Sequence, residues 1–495
     1  MSVDSLFPSL GLSGHQFQKL SVNGFGDGHN SHAHSMALFK NKIFVGTTRA
    51  LLPALSLHRN SDAWDYLNIW PVERPKSIDE LYQIDRRAQI WSFDLYTRSW
   101  NHVFTSPLVS TSDFSDVPRE FGYRSMCVFK GKADLEPCLY VATTAPGRSP
   151  GALILRSSDG QSFDQVSDYG ILDLPITSIR SLIPFNNNIY TSPSGSRSSK
   201  HNISDFPIVY ESDDPSSGRW RPVSEPGFGN SSNDAIFTLC PFNGFLYGGT
   251  LNNSGYEVWK TDCQGRPPYK WTRVISFGAN RGKLNQGVIS MCEFKDHLYI
   301  GSAIQNGGYD VYNDIGPAAS ELIRIDSNDK WEVIIGQHRL SGGHFSPPLA
   351  GLSPGCGNLF NGYFWHLSVH DGWLYLGTCN CCIMLSFANL NRLPPRGARL
   401  ANQIGIDQLI SNQAGFELWR SFDGVNWLPV DRHGFGNPYN IGIRNMISVN
   451  GSLYVGTANP YGPKIASYNN FCNEYEYVEN PQGGLEVWEG SLSNS

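Results

Sequence analysis

Residues 445–457 read NMISVNGSLYVGT: an apolar strand, an Asn-Gly pair, and a second strand ending on Gly-Thr. Asn-Gly between two apolar runs is the chemistry of a two-residue hairpin, because both turn residues must adopt positive φ. The same text recurs as SMALFKNKIFVGT (35–47), SMCVFKGKADLEPCLYVAT (125–143), SLIPFNNNIYTSP (181–193), TLCPFNGFLYGGT (238–250), SMCEFKDHLYIGS (290–302) and HLSVHDGWLYLGT (366–378). Each copy is followed by a second hairpin, clearest in GFELWRSFDGVNWLPV (415–430).

The unit is therefore four antiparallel strands, A to D, and there are seven of them. Short strands at even spacing, with Gly and aromatic residues recurring in each unit, predict an all-β fold, a seven-bladed β-propeller. The last unit has a strand C (GGLEVWEG, 483–490) and no strand D after it. The other end of the chain supplies one: FQKLSVNGFGDG (17–28) matches the fourth-strand texts NWLPVDRHGFGN (426–437) and RWRPVSEPGFGN (219–230). The N-terminal strand is expected to complete the last blade and close the ring, which removes exposed sheet edges. The reading covers residues 1–495 as one domain.

Composition agrees. Of 495 residues only 17% are charged and 13% are aromatic, with 50 Gly and 30 Pro, which excludes a disordered chain. A net charge of −6 carries no footprint for a nucleic-acid partner. No apolar run approaches the ~18 residues of a membrane span, so no membrane partner is expected. The start of the chain has no basic segment followed by an apolar core, so a cytoplasmic protein with its ten cysteines as free thiols is expected. Asn202 and Asn230 match glycosylation acceptors, a match that means little without secretion.

The A-to-B and C-to-D turns are tight. The long insertions, about 50–87, 303–318, 379–414 and 458–482, are B-to-C connections, and 336–362 is a D-to-A connection. In a four-stranded blade these emerge on one face, and long loops on one face point to a site at the mouth of the central channel, or to oligomer contacts. At the same repeat position near the start of strand A stand His34, Arg124, Arg180, Phe237, Ile289, Trp365 and Arg444. A core column would be apolar. Three arginines in it predict either a cationic, aromatic-rimmed pocket for an anionic or electron-rich small molecule, or struts between blades. Arg49 follows the first B strand, and TANPYGP (457–463) brings Tyr461 and Asn459 to the seam where the ring closes. Arg49, Tyr461, His34 and Arg444 are the candidate catalytic residues. Arg124, Arg180, Phe237, Trp365, His366 and Asn459 are the candidate substrate-binding residues.

Two further clusters carry ligand chemistry. DGHNSHAH holds Asp27, His29, His32 and His34, and CNCC holds Cys379, Cys381 and Cys382. The first leaves a carboxylate partner undefined and the second lacks a paired knuckle, so no metal is assigned to either. No nucleophile elbow, phosphate loop or zinc-protease helix occurs.

The stretches GFELWRSFDGVNW, GFGNPYNIGIRNM and LYVGTANPYGP resemble those of a family of bacterial propeller proteins. That family includes the propeller part of the cyanobacterial, cylindrocyclophane-forming enzymes that alkylate resorcinol rings with secondary alkyl chlorides. The resemblance covers nearly the whole chain as a repeat pattern. It implies a mouth-located site using Arg and Tyr, placed here at Arg49 and Tyr461, and calcium as a cofactor. The nonapeptide calcium repeats of those enzymes are absent from this sequence, which sets calcium and the reaction apart from the rest. The expected function is an enzyme of secondary metabolism that alkylates or cyclises an aromatic or apolar small molecule. A non-catalytic ligand- or protein-binding scaffold is the alternative. Divergence of the mouth column favours one asymmetric site over repeated pockets.

Overall fold

A computed structural model describes residues 9–57, 64–195, 203–310, 313, 315–341, 344–393, 395–469 and 471–492. Asn202 and parts of the 50–87, 303–318, 336–362, 379–414 and 458–482 insertions lie outside them. The chain divides into two compact units. One comprises 1–32, 51–81 and 289–495; the other comprises 33–50 and 82–288.

In the second unit sheet 2 runs Gly122–Phe129, Cys138–Thr144, Ile154–Ser157 and Asp164–Gln165. Sheet 3 is Ile183–Phe185, Asn188–Thr191, Tyr210–Ser212 and Arg221–Pro222. Sheet 4 is Ala235–Phe242, Phe245–Leu251, Val258–Thr261 and Thr272–Ile275. Sheet 1 has its strands B to D there, Lys42–Arg49, Gln89–Asp94 and Ser99–Thr105. In the first unit sheet 5 has strands B to D at His297–Ala303, Leu322–Ile325 and Trp331–Ile335. Sheet 6 is Asn361–His370, Trp373–Asn380, Leu418–Ser421 and Trp427–Asp431. Sheet 7 is Gly442–Val449, Ser452–Ala458, Val487–Ser491 and the N-terminal strand Phe17–Lys19. The A strands Asn30–Phe39 and Gly287–Phe294 lead into sheets 1 and 5.

The hairpin chemistry holds in detail. Lys40-Asn41, Asn186-Asn187, Asn243-Gly244, Lys295-Asp296, Asp371-Gly372 and Asn450-Gly451 all have positive φ at both positions, the primed turn whose twist matches that of the strands. The end of strand B bridges the start of the next A strand, as in Thr48↔Gly122 and Leu251↔Gly287 of the second unit. Ala303↔Tyr363, Cys379↔Gly442 and Ala458↔His32 do the same in the first.

The terminal strand pairs as the repeat requires: Phe17 opposes Gly490, Gln18 opposes Glu489 and Lys19 opposes Trp488. A Cβ on Gly490 would lie 2.5 Å from the Phe17 ring, so only glycine lets that strand approach. Leu12 is buried beside it, its N–H donating to the Tyr375 hydroxyl at 2.8 Å.

Three insertions fold together. Leu52, Leu67, Trp70 and Val72 from the first pack with Met384 and Phe387 from the sheet 6 insertion and with Tyr461 and Ile465 from the last. Backbone bonds stitch this apolar cap: Asn68 N–H to the Phe387 carbonyl at 2.7 Å, and Ala466 N–H to the Pro71 carbonyl at 2.8 Å. Among the described residues no helix is long and apolar enough to cross a membrane.

Candidate active site

Four of the seven positions of the divergent column are β-bulges. Strand A slips register between Tyr123 and Ser125, Ile236 and Thr238, Phe364 and His366, and Ile443 and Asn445. The residues skipped are Arg124, Phe237, Trp365 and Arg444. A bulge leaves one residue out of the ladder and re-aims its side chain. Alternation along a strand therefore does not govern these positions, and they are open to arginine and tryptophan alike.

In the first unit the bulges bring residues together. The Arg444 guanidinium lies over the Trp365 ring at 5.3 Å, and His32 and Tyr363 meet the same ring edge-on at 5.8 and 5.6 Å. Gly442 makes room: a Cβ there would stand 2.4 Å from the Trp365 ring. His366 follows the bulge. Burial, and then the Arg444 charge, lower its pKa to about 4, against a hydrogen bond to the Met446 backbone that raises it, so the imidazole is neutral at pH 7.

This shift has a sign that can be checked. Between pH 6.5 and about 4 the folded state keeps His366 as the neutral imidazole, whereas the unfolded chain takes up the second proton and becomes imidazolium. Stability from the neutral ring is complete above pH 6.5 and is lost as pH falls to about 4, by up to about 3 kcal/mol. His366→Gln should flatten that part of the stability–pH curve in denaturant titrations. An unchanged curve would show that another group carries the acid sensitivity.

Cys379 and Cys381 lie at the end of the same sheet. Burial raises the Cys379 thiol, and its hydrogen bond to Cys381 lowers the second thiol. All ten cysteines are free thiols. Among the described residues no group of three or more His, Cys, Asp or Glu side chains is placed to hold a metal ion. His29 N–H bonds its own neighbour Asp27 at 2.9 Å.

Tyr461 takes a different place from the one expected at an open mouth. It is only 1% exposed, packed in the apolar cap against Phe387 and Tyr439, and burial pushes its phenol well above the ordinary range. A phenol so held is a poor proton acceptor at neutral pH. Asn459 is buried scaffold: its Nδ2 donates to the Gln482 carbonyl at 2.7 Å and its Oδ1 accepts from Tyr461 N–H at 3.3 Å.

In the second unit Arg180 caps the Phe237 ring at 3.9 Å and donates from Nε to the Phe237 carbonyl at 2.7 Å. Arg124 donates to Ser178 Oγ at 2.7 Å, and burial lowers its pKa to about 10. The His34 Nδ1 meets Thr48 Oγ1. Arg49 is buried, donating from Nε and Nη2 to the Asp85 carbonyl at 3.1 and 3.0 Å. Arg124 and Arg180 thus tie strand starts within this unit, the strut reading of the column.

The residues that sequence reasoning passed over are the carboxylates two places before a strand C tryptophan. Glu257, Glu417 and Glu486 each accept from that indole, Trp259, Trp419 and Trp488, at 2.8–2.9 Å, and from buried asparagines. The recurring Glu-x-Trp text was the available signal.

No family model matches the chain, and no curated protein matches it. Among solved structures it is similar to a GH93 α-L-arabinofuranosidase of Fusarium graminearum bound to arabinobiose, at 9% identity over 78% of this chain and 96% of that one, with a TM-score of 0.39. It is also similar to a puromycin-hydrolyzing peptidase of Mycobacterium tuberculosis, at 8% identity over 94% of this chain and 56% of that one, TM-score 0.41, so the chain spans about half of that protein's length. A protein of unknown function from Dyadobacter fermentans gives 10% identity over 74% and 95%, TM-score 0.39.

Proposed function

We propose that the seven sheets are blades of one ring closed by the N-terminal strand, and that the protein is an enzyme acting on an aromatic or apolar small molecule beside Trp365. The observation that carries the reading is a bulge-projected guanidinium, Arg444, stacked on a tryptophan next to the neutral imidazole of His366. The rings of Trp365, Tyr363 and His32 would hold the apolar body of the substrate. Arg444 would stabilise charge that develops on a leaving group or phenolate, and such electrostatic help is the largest single term in many enzymes. His366, held as the neutral imidazole, would receive the released proton on its unprotonated ring nitrogen.

The narrower part of the proposal is a bond-forming alkylation or cyclisation. The aromatic carbon bonds the alkyl carbon, the leaving group departs with its electron pair toward Arg444, and the displaced ring proton passes to His366.

The test is to incubate the protein with resorcinol and a secondary alkyl chloride and to follow coupled product by mass spectrometry. Arg444→Ala should lower turnover by about 10²-fold with the melting temperature unchanged, the effect of losing one electrostatic donor. Saturable binding of resorcinol without product would favour the non-catalytic scaffold.

A further inference from the structure

Arg86 belongs to the second unit and is 4% exposed. Its guanidinium stands over the Phe121 ring at 4.8 Å and near the Tyr82 ring at 6.0 Å. Its Nε is buried with no hydrogen-bond partner, and among the described residues no carboxylate pairs with it. Burial lowers its pKa to about 10, with only the Tyr82 phenol acting the other way. It remains a cation at neutral pH.

The acids around it are engaged. The Asp85 carboxylate is bonded to Arg87 at 2.9 and 3.0 Å, and Glu120 is paired with Arg119. The Asp85 carbonyl takes the Arg49 guanidinium instead. Arg148 adds a further positive charge, its guanidinium lying over the same Tyr82 ring and over Phe114 at 4.6 and 4.4 Å, while its backbone N–H donates to the Tyr82 hydroxyl at 3.0 Å. Buried guanidinium groups call for hydrogen-bond acceptors, an anion or neutral oxygens such as those that hold Arg49 and Arg124, because the desolvated charge alone opposes folding. Cation–π contact offsets part of that and supplies no acceptor for the N–H groups.

We infer that Arg86 is the anchor of a binding site for a carboxylate carried on a flat, apolar body. The fork of the guanidinium matches the two carboxylate oxygens, and the rings of Tyr82, Phe121 and Phe114 provide apolar walls for the rest. Inorganic phosphate, which calls for several convergent donors, fits these aromatic walls less well. The site rests on no part of the alkylation reading, since the two use different residues in different units.

The experiment is calorimetric titration of the full chain with benzoate, acetate and inorganic phosphate, together with thermal unfolding without ligand. Benzoate is expected to bind once per chain, at least about tenfold more tightly than acetate or phosphate. Arg86→Met should weaken benzoate by at least about tenfold and leave the melting temperature of the free protein equal to or above the parent's, because it removes an uncompensated buried charge. Arg86→Lys, which keeps the charge and loses the fork, should also weaken benzoate. No benzoate binding up to about 10 mM, phosphate binding as tightly as benzoate, or a lowered melting temperature in free Arg86→Met would each overturn the inference.

Discussion

A chain lacking residues 1–20 should fail to give a soluble, cooperatively unfolding monomer. Without Phe17–Lys19 the strand Val487–Ser491 becomes an open edge, a template for pairing with other molecules. The loss extends past the ladder. The Phe17 ring stacks on Phe435 at 4.9 Å, and Leu12 and Phe17 are both buried. At about 1.5–3 kcal/mol each, these two side chains alone contribute a large part of the stability of an ordinary domain. Trp373 also loses the Ser9 carbonyl that its indole N–H meets at 2.9 Å. Size-exclusion chromatography and thermal unfolding read the outcome, and a synthetic peptide spanning 9–28 added in trans should restore part of it. A truncated chain that stays monomeric with the parent's melting temperature would show that sheet 7 is stable with three strands.

Why this strand was legible, and the site only partly so, follows from the range of the forces involved. The Asn450-Gly451 turn and its relatives are local: few residues tolerate two successive positive φ values, so the sequence displays them. Phe17–Lys19 was found across 471 residues because its partner unit visibly lacked a strand, as the Gln18–Glu489 contact demonstrates. The mouth column was legible as a set of positions, His34 to Arg444, but the bulges that explain its tolerance depend on ladder geometry that no single strand encodes. The burial of Tyr461 was not legible for a non-local reason. Its burial comes from apolar residues such as Leu52, Trp70 and Phe387, which reach it from insertions far away in the chain. Arg86 was passed over because a lone arginine in an insertion reads as solvated surface until its burial among rings is known.

Glu486→Ala should destabilise the protein by about 3–5 kcal/mol, the scale for removing one partner of a buried charged network. The carboxylate is 2% exposed and accepts from five donors. Oε1 takes Lys19 Nζ at 2.8 Å and the Nδ2 atoms of Asn23 and Asn437 at 3.0 Å each; Oε2 takes Asn440 Nδ2 at 2.7 Å and Trp488 Nε1 at 2.9 Å. Two of these donors lie on the N-terminal segment and two on the connection into sheet 7, so one side chain fastens the closing strand to the last sheet. Alanine removes this acceptor from all five donors, and although the Asn437 and Asn440 amides keep the Gln482 and Gly434 carbonyls and Lys19 keeps Asn23, a buried donor left unmatched is penalised more heavily than the lost bond itself suggests. Glu486→Gln keeps the shape but turns an amide N–H₂ toward groups that are themselves donors, and should recover less than half of the loss. Glu479→Ala, exposed on the 458–482 insertion, should leave stability within about 0.5 kcal/mol of the parent. Chemical denaturation of the three variants decides the matter. If Glu486→Ala and Glu479→Ala unfolded at the same denaturant concentration, Glu486 would be one contact among many, and closure would rest on the backbone ladder and the Phe17 ring.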